Sequence, residues 1–216
     1  MKVEYEVGLD LAREIRRNPK MFLSCGSDER TKRIINDTSQ RITACVADKS
    51  RRFSFNVFEQ PEQNAFALPG GFIFLTDSIL ELCEWNRDEI AFILGHEMGH
   101  VIRGHAMNRI ISNLAINAAS NTAPVRGLVA GWLRNVGIQF LESAYSRELE
   151  SEADELGVRL VDAAGYDPSA CVRLLRRLAE SKSHCERFEL GNYFSSHPPL
   201  NERIEKINHL LHRLDK

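Results

Sequence analysis

NRDEIAFILGHEMGHVIRGH, residues 86–105, is the stretch around which the rest of the chain has to fold. Its apolar residues recur at helical spacing, Asn86 is placed to cap the first turn, and two carboxylates follow where they favour the helix dipole. Gly95 and Gly99 each weaken a helix by about 1 kcal/mol relative to alanine. We therefore predict a helix that keeps these glycines because another backbone or a metal site comes close to it.

The same stretch contains the pattern H-E-x-x-H at His96, Glu97 and His100. Residues four apart lie on one face of a helix, so both imidazoles project in the same direction. This spacing suits two nitrogen ligands of a tetrahedral zinc ion, each at about 2.0–2.1 Å, and Glu97 can reach a metal-bound water without being a ligand. The alternative is a pair of buried, hydrogen-bonded histidines without a metal.

A zinc site of this kind needs a third protein ligand, and the segment SRELESEAD, residues 146–154, offers carboxylates. Ser146 is placed to cap a helix on which alternate glutamates point about 200° apart, so only one of them can face the metal. Asp154 lies one turn after Glu150 and could accept a hydrogen bond from the far nitrogen of a ligand histidine. We predict Glu150 as the metal ligand and Asp154 as the supporting partner. The alternative is a solvated acidic helix face.

His105 is one residue out of place for a rival type of metal site. The metzincin pattern H-E-x-x-H-x-x-G-x-x-H requires glycine at position 103 and histidine at position 106, where this chain has Arg103 and Ala106. His105 is therefore about 100° around the helix from that third ligand. We expect it to support a ligand histidine or the fold.

Four motifs together resemble the gluzincin zinc metallopeptidases of the family that includes the CAAX prenyl proteases, HtpX, BepA and the mitochondrial Oma-type proteases. They are GHEMGH with a histidine five residues later, S-R-x-x-E-x-E-A-D at 146–154, NAFALPGG at 64–71 and SSHPPLNERI at 195–204. The likeness extends from about residue 28 to residue 210, nearly the whole chain. It implies a zincin-like fold, one zinc ion per chain and endopeptidase activity.

The resemblance also implies roles for His197 and Arg203, which lie near the zinc in the family pattern. His197 would stabilise the oxyanion or, in a resting enzyme, occupy the fourth zinc position, and Arg203 would orient Glu150 or assist the oxyanion. Glu97 would remove a proton from the zinc-bound water during attack on a peptide carbonyl and pass it to the departing amine. The simpler alternative leaves His197 at the surface, beside a helix capped by the serines at 195–196.

The middle of the chain predicts a small sheet and a place for substrate. Residues 53–58 alternate strictly and predict a strand, as do residues 72–75. The segment between them is short and ends at a proline–glycine turn, as expected of an exposed edge strand. Its predicted substrate-binding residues are Asn64, Ala65, Phe66 and Ala67. An extended polypeptide could add to this edge through backbone hydrogen bonds; the alternative is a three-stranded sheet with nothing added.

The pattern of elements predicts an α+β fold that is mainly α, a zincin-like metallopeptidase domain with a small three-stranded sheet and active-site helices. Helical patterns cover residues 7–18, 28–45, 77–84, 87–120, 147–164, 168–183 and 199–214. A chain of 216 residues without a composition break suits one domain over residues 1–216, with an N-terminal helix to about residue 25 and a catalytic core over about 28–210. Residues 112–145 leave several interpretations open: a flap, an oligomer contact, a membrane-touching helix or, most simply, a helical hairpin packed on the core.

Composition narrows the range of partners and cofactors. A net charge of −2 without a basic face argues against nucleic acid. The apolar run at residues 127–133 is far shorter than the roughly 20 residues that span a bilayer, so we expect no spanning segment, which argues against an intact prenyl protease or HtpX. The five cysteines, at positions 25, 45, 83, 171 and 185, include no C-x-x-C pair, so we expect buried free thiols and no cysteine zinc site.

The sequence leaves two main classes of function open. The first is a zinc metalloendopeptidase of the periplasm or cell envelope, exported or membrane-associated, that hydrolyses misfolded or unassembled polypeptides; the cytoplasm is the alternative location. The second is a latent or catalytically silent zinc-binding, chaperone-like module in which His197 closes the site. A third, a purely structural zinc protein, would need a fourth protein ligand that stays in place when substrate is added.

Overall fold

A computed structural model of the chain describes residues 2–17, 28–117, 145–184, 197 and 200–214. Within them the α-helices are α1 (Lys2–Arg17), α2 (Glu29–Ala44), α3 (Asp77–Leu82), α4 (Arg87–Ile102), α5 (His105–Asn117), α6 (Arg147–Ala163), α7 (Ala170–His184) and α8 (Leu200–Leu214). The strands are β1 (Ser54–Phe58), β2 (Ala65–Leu68) and β3 (Phe72–Thr76). The prediction of a mainly helical α+β fold with a small three-stranded sheet is confirmed.

The sheet is mixed, with strand order β1-β3-β2. β1 pairs with β3 in parallel, from Ser54 opposite Phe72 to Phe58 opposite Thr76. β2 pairs with β3 antiparallel and is joined to it by a short 3₁₀ turn, Pro69–Gly71. Gly70 has a φ of +74° in this turn, a left-handed conformation that glycine adopts without strain.

Both faces of the sheet are covered. One face packs against the apolar stripe of α1, where Leu11 and Ile15 join Phe66 and Phe74 in a single cluster. The other face packs against α4, so that Ala65 and Ala67 belong to the main core. α1 can lie this close because Gly8 faces the turn at Pro69: a Cβ at this position would stand 1.7 Å from the Pro69 carbonyl oxygen.

The predicted exposure of the β2 edge is wrong. β2 does lie at an edge of the sheet, but Asn64, Ala65, Phe66 and Ala67 are each no more than 7% exposed. α1 and α5 contact this strand in addition to α4. β2 is a short strand before a proline–glycine turn, and this pattern correctly predicts its position at the edge of the sheet. The pattern does not predict the helices that cover the strand.

The helical pattern predicted over residues 87–120 forms two helices within the described residues, which end at 117 in this part of the chain. α4 ends at Ile102, where the backbone N–H of Arg103 donates to the Gly99 carbonyl, and Gly104 follows with a φ of +73°. α5 begins at the next residue, His105. A periodic apolar pattern continues across such a break, so periodicity alone does not reveal it.

Two backbones cross closely at the centre of the fold, as the glycines of α4 predicted. A Cβ at Gly99 would lie 2.9 Å from the Ala153 carbonyl oxygen of α6, and a Cβ at Gly95 would lie 3.1 Å from the carbonyl oxygen of Gly157. The small residues therefore let α6 approach α4 to backbone contact. This close crossing brings Glu150 to the histidines of α4.

The predictions for the cysteines and for several segments can be compared with the structure only in part. The expectation of buried free thiols is confirmed for Cys83 and Cys171, while Cys45 is half-buried; Cys25 and Cys185 lie outside the described residues. Among the described helices, none combines the length and apolar character needed to cross a membrane. Most of the segment 112–145, the end of the predicted N-terminal helix and the serines at 195–196 also lie outside the described residues.

Candidate metal centre

Four buried side chains converge where α4, α6 and the start of α8 meet. They are His96 and His100 on α4, Glu150 on α6 and His197 three residues before α8. One ligand atom from each lies within 4.8 Å of the others, and all four residues are at most 1% exposed. His96 Nε2 is 3.2 Å from His100 Nε2, and Glu150 Oε1 is 3.3 Å from His100 Nε2.

The spacing of these atoms fits a tetrahedral zinc ion. Ligands bound at about 2.0–2.1 Å to the corners of a tetrahedron lie about 3.3 Å apart. His197 Nδ1 is 3.2 Å from His96 Nε2 and 2.8 Å from Glu150 Oε1, close to that separation. The buried oxygen Glu150 Oε2 accepts no hydrogen bond in the described structure and lies 3.2 Å from Arg203 Nη1, whereas Oε1 faces the histidines. Three imidazoles and one carboxylate form a donor set that zinc favours.

Caps and helix phase place the first three of these side chains. The side chain of Asn86 accepts hydrogen bonds from the N–H groups of Asp88 and Glu89 at the start of α4, and Ser146 caps α6 in the same way, as the sequence predicted. With α6 fixed in this phase, Glu150 is completely buried at the histidines, whereas Glu152 keeps half of its side chain exposed. The alternative of a solvated acidic face therefore does not apply to Glu150.

Protonation of the candidate ligands suits metal binding. Burial lowers the pKa of His100 well below its ordinary value and keeps the ring neutral, the form that binds a metal. Burial alone would raise the pKa of Glu150, but electrostatic attraction to His197 and Arg203 outweighs it and holds that pKa well below the ordinary range. Neutral imidazole and ionised carboxylate are thus both favoured in the folded protein.

Asp154 and Arg203 support the cluster from behind. Arg203 donates to both Asp154 oxygens, at 2.8 Å from Nε and 2.7 Å from Nη2, and its Nη1 is 3.2 Å from Glu150 Oε2. Asp154 Oδ1 lies 2.9 Å from His96 Nδ1, the nitrogen that faces away from the cluster. Despite burial, the ion pair with Arg203 lowers the pKa of Asp154. The structure therefore places Asp154 where the sequence predicted a partner for a ligand histidine.

His197 lies in the cluster and not at the surface, so the simpler alternative for this residue is wrong. Arg203 Nη1 donates to the His197 carbonyl oxygen at 3.2 Å, which ties the residue to α8. Its ring nitrogens face two carboxylates: Nδ1 is 2.8 Å from Glu150, and Nε2 is 3.5 Å from Glu97 Oε1. His197 thus stands between Glu97 and the other three candidate ligands.

Glu97 is buried, and its Oε1 accepts no hydrogen bond in the described structure. Burial raises the pKa of its carboxyl, because attraction to His197 and His96 offsets only part of the desolvation. A base with a raised pKa can both take up a proton and release it again. Glu97 thus combines a raised carboxyl pKa with a position outside the candidate ligand set.

His105 touches the cluster from α5. Its Nδ1 is 2.9 Å from His100 Nδ1, so one of these nitrogens donates a hydrogen bond to the other. Glu152 Oε2 lies 3.6 Å from His105 Nε2, on the outer side. The predicted supporting position of His105 agrees with this contact, which depends on the break between α4 and α5.

Sequence reasoning missed two side chains next to the cluster, Tyr145 and Arg109. The Tyr145 ring is stacked on His100, with centroids 4.0 Å apart and an interplanar angle of 20°. The guanidinium of Arg109 lies over the Tyr145 ring, 3.5 Å from its centroid. A weak signal existed, because Tyr145 directly precedes the cap of α6 and Arg109 stands one turn after His105.

The fold and the donor set are those of a zincin-type metallopeptidase, and comparison with family models identifies the family. The chain belongs to the family described as Peptidase family M48, whose model matches residues 28–211. This range agrees with the extent of the motifs and includes every candidate site residue.

Individual relatives carry related names. The chain is 30% identical over 179 residues to the mitochondrial metalloendopeptidase OMA1 of Schizosaccharomyces pombe, an alignment that covers 80% of this chain and 50% of that protein. It is 28% identical over 159 residues to the metalloprotease LoiP of Escherichia coli, covering 71% of this chain and 61% of LoiP. It is 27% identical over 167 residues to the beta-barrel assembly-enhancing protease of Yersinia pestis, covering 71% and 34%. The chain thus spans less than two thirds of each relative.

Proposed function

We propose that the chain is a zinc-dependent endopeptidase that hydrolyses peptide bonds of misfolded or unassembled polypeptides. The observation that supports this most directly is the convergence of His96, His100 and Glu150 on one point, with Glu97 beside it. Two imidazoles and one carboxylate are the protein ligands of a known class of catalytic zinc sites. A bound zinc ion would supply Lewis acidity, which polarises the scissile carbonyl and lowers the pKa of a water ligand to about 7.

Glu97 carries the proton transfers in this proposal. Its carboxylate takes a proton from the attacking water and delivers it to the departing amine. The raised pKa of Glu97 suits this exchange because it brings the acid form closer to neutral pH. Its burial also keeps competing solvent away from the carboxylate.

Arg203 and Asp154 are proposed to position the ligands. Asp154 holds His96 by its outer nitrogen, which fixes the orientation of the ring. Arg203 contacts Asp154, Glu150 and the His197 carbonyl oxygen. These contacts favour orientation of Glu150 over assistance to the oxyanion as the role of Arg203.

For the substrate, we propose an extended polypeptide that adds to β2 on the side opposite β3. Because Asn64, Ala65, Phe66 and Ala67 are buried, this addition requires a covering element to move away. α1 and α5 are among the described elements that contact the strand. A relative named for enhancing β-barrel assembly supports the periplasm or cell envelope as the location and unassembled polypeptides as substrates.

The test of this proposal is made on the purified chain. We expect about one zinc ion per chain, cleavage of unfolded casein, loss of cleavage on treatment with a chelator and its recovery when zinc is restored. Metal content is measured by elemental analysis and cleavage by the release of labelled peptides. Cleavage that continues in metal-free protein would contradict the proposal. So would zinc-loaded protein that cuts neither casein nor other unfolded chains in both the unmodified form and the His197→Ala variant.

A latent form of the same enzyme is a second candidate function, and the position of His197 favours it. With Nδ1 2.8 Å from Glu150 and 3.2 Å from His96, the ring stands where a fourth ligand would be. We therefore expect His197→Ala to raise the rate of casein cleavage. The Arg203 contact is preserved in this variant because it uses the backbone carbonyl of residue 197.

The matched control for this variant is His209→Ala, which removes an exposed histidine from α8 and should leave the rate unchanged. A fall of about 10²–10³-fold in His197→Ala would instead assign His197 to oxyanion stabilisation. The two results have opposite signs, so one rate measurement separates the two roles.

A further inference from the structure

Arg109, Tyr145 and His100 form a three-layer stack against the candidate metal centre. The Tyr145 ring lies 4.0 Å from the His100 ring, at 20°, and the Arg109 guanidinium carbon lies 3.5 Å from the Tyr145 centroid. Two planar groups cannot both occupy one face of a ring at these distances. The imidazole and the guanidinium therefore cover opposite faces of the phenol.

The two histidines of α4 are held by different means. The outer nitrogen of His96 faces the carboxylate of Asp154 at 2.9 Å, the arrangement that commonly fixes a metal-binding imidazole. The outer nitrogen of His100 faces another imidazole, that of His105, at 2.9 Å. A single contact to a second ring leaves the plane of His100 less well defined than a charged carboxylate would. The face of the His100 ring is where the additional support lies.

The residue types in this stack are suited to holding the His100 ring in place. An aromatic ring carries negative charge on its faces, so a guanidinium above one face is attracted to it and holds the ring in place. Arginine is suited to this position because its planar group lies flat on an aromatic ring, which a lysine ammonium cannot do. Arg109 is fixed on α5 one turn after His105, so α5 brings both supports to His100 from one rigid element.

We propose that Tyr145 and Arg109 are positioning residues that fix the ring plane of His100 for metal binding. This inference rests on the metal-binding part of the proposed function and not on peptide hydrolysis. It assigns the support to the face of the phenol and to the planar guanidinium, and it assigns no part to the phenol hydroxyl.

The test is the zinc affinity of the full chain, measured by competition with a chromophoric chelator. We expect Tyr145→Leu to bind zinc about 10–100-fold more weakly, as for other losses of support to a ligand histidine. Tyr145→Phe keeps the ring face and is expected to bind as tightly as the unmodified chain. The absorption bands of the cobalt-loaded protein should shift in Tyr145→Leu and stay in place in Tyr145→Phe, because they report ligand geometry.

Tyr166→Leu is the matched control. Tyr166 also lies under an arginine, with the Arg41 guanidinium 4.2 Å from its ring, but it follows the end of α6 and is not part of the candidate metal cluster. The Tyr166→Leu variant should have lower thermal stability but the same zinc affinity and the same cobalt spectrum as the unmodified chain. If Tyr145→Leu does not fold, Arg109→Met tests the same stack, and it too is expected to weaken zinc binding.

The inference is overturned if folded Tyr145→Leu or Arg109→Met binds zinc as tightly as the unmodified chain. It is also overturned if Tyr145→Phe loses as much affinity as Tyr145→Leu, since the hydroxyl and not the ring face would then matter. Failure of the proposed function gives a different result: the unmodified chain would bind zinc and the variants would follow the expected order, but no variant would cleave casein.

Discussion

Glu97→Gln is expected to reduce casein cleavage by about 10²–10⁴-fold, the usual contribution of a general base, while the protein keeps its zinc. Glutamine preserves the size of the side chain and one oxygen, but it cannot accept the proton of the attacking water. Because Glu97 lies outside the ligand set, metal content should stay at the level of the unmodified chain. The measurements are the cleavage rate under single-turnover conditions and zinc content on the same sample.

Glu155→Gln is the control for this variant. Glu155 lies on α6 with about half of its side chain exposed, in an ion pair with Arg159 one turn away. Its replacement makes the same chemical change far from the general base and should leave the cleavage rate unchanged. Unchanged cleavage in Glu97→Gln would remove Glu97 from its assigned role. Loss of zinc would show that the carboxylate holds the centre together.

Arg203→Leu is expected to destabilise the fold by about 3–5 kcal/mol, the effect of removing one partner from a buried ion pair. Arg203 is 2% exposed and faces two buried carboxylates, those of Asp154 and Glu150. Without the guanidinium both carboxylates remain in a dry interior without their cation. The free energy of unfolding, measured with denaturant on metal-free protein, reports this loss.

The contrasting variant is Arg159→Leu. Arg159 pairs with Glu155 at 2.9 Å, but both side chains are about half exposed, and ion pairs of this kind on a helix contribute only about 0.3–0.5 kcal/mol. Both substitutions remove an arginine from an ion pair of similar length. The difference between the two losses in the free energy of unfolding therefore measures the effect of burying the pair. Similar losses in both variants would mean that Asp154 and Glu150 do not depend on Arg203.

The residues on α4 were predictable because one helix sets their geometry. A spacing of four positions places His96 and His100 on one face of a helix whatever surrounds them. Gly95 and Gly99 indicate that another backbone lies close by, but they do not indicate which one. Glu150 was predictable through helix phase and the position of Asp154. His197 and Arg203 were predicted only through resemblance to a family, because no local pattern connects these residues to a helix a hundred residues earlier in the chain.

Features that depend on distant segments were not predictable. β2 has the sequence of an edge strand, but its exposure is decided by α1 and α5, which pack on it from remote parts of the chain. The break between α4 and α5 at Gly104 lies within a continuous apolar pattern and so could not be predicted from it. This break brings His105 to His100. Tyr145 and Arg109 carry no motif, since a stack between different elements imposes no spacing on the sequence.

The attachment of His197 to Arg203 limits the ways in which the centre can be uncovered. If His197 closes the centre, as in the proposed latent form, a shift of α8 would withdraw its imidazole and would also remove the Arg203 guanidinium from Asp154 and Glu150. Turning the imidazole alone about its side-chain bonds would clear the same space and leave the guanidinium where it is, since the link between them runs through a main-chain carbonyl. In the proposed latent form, activation by rotation of the His197 side chain would therefore break fewer contacts than movement of the whole helix.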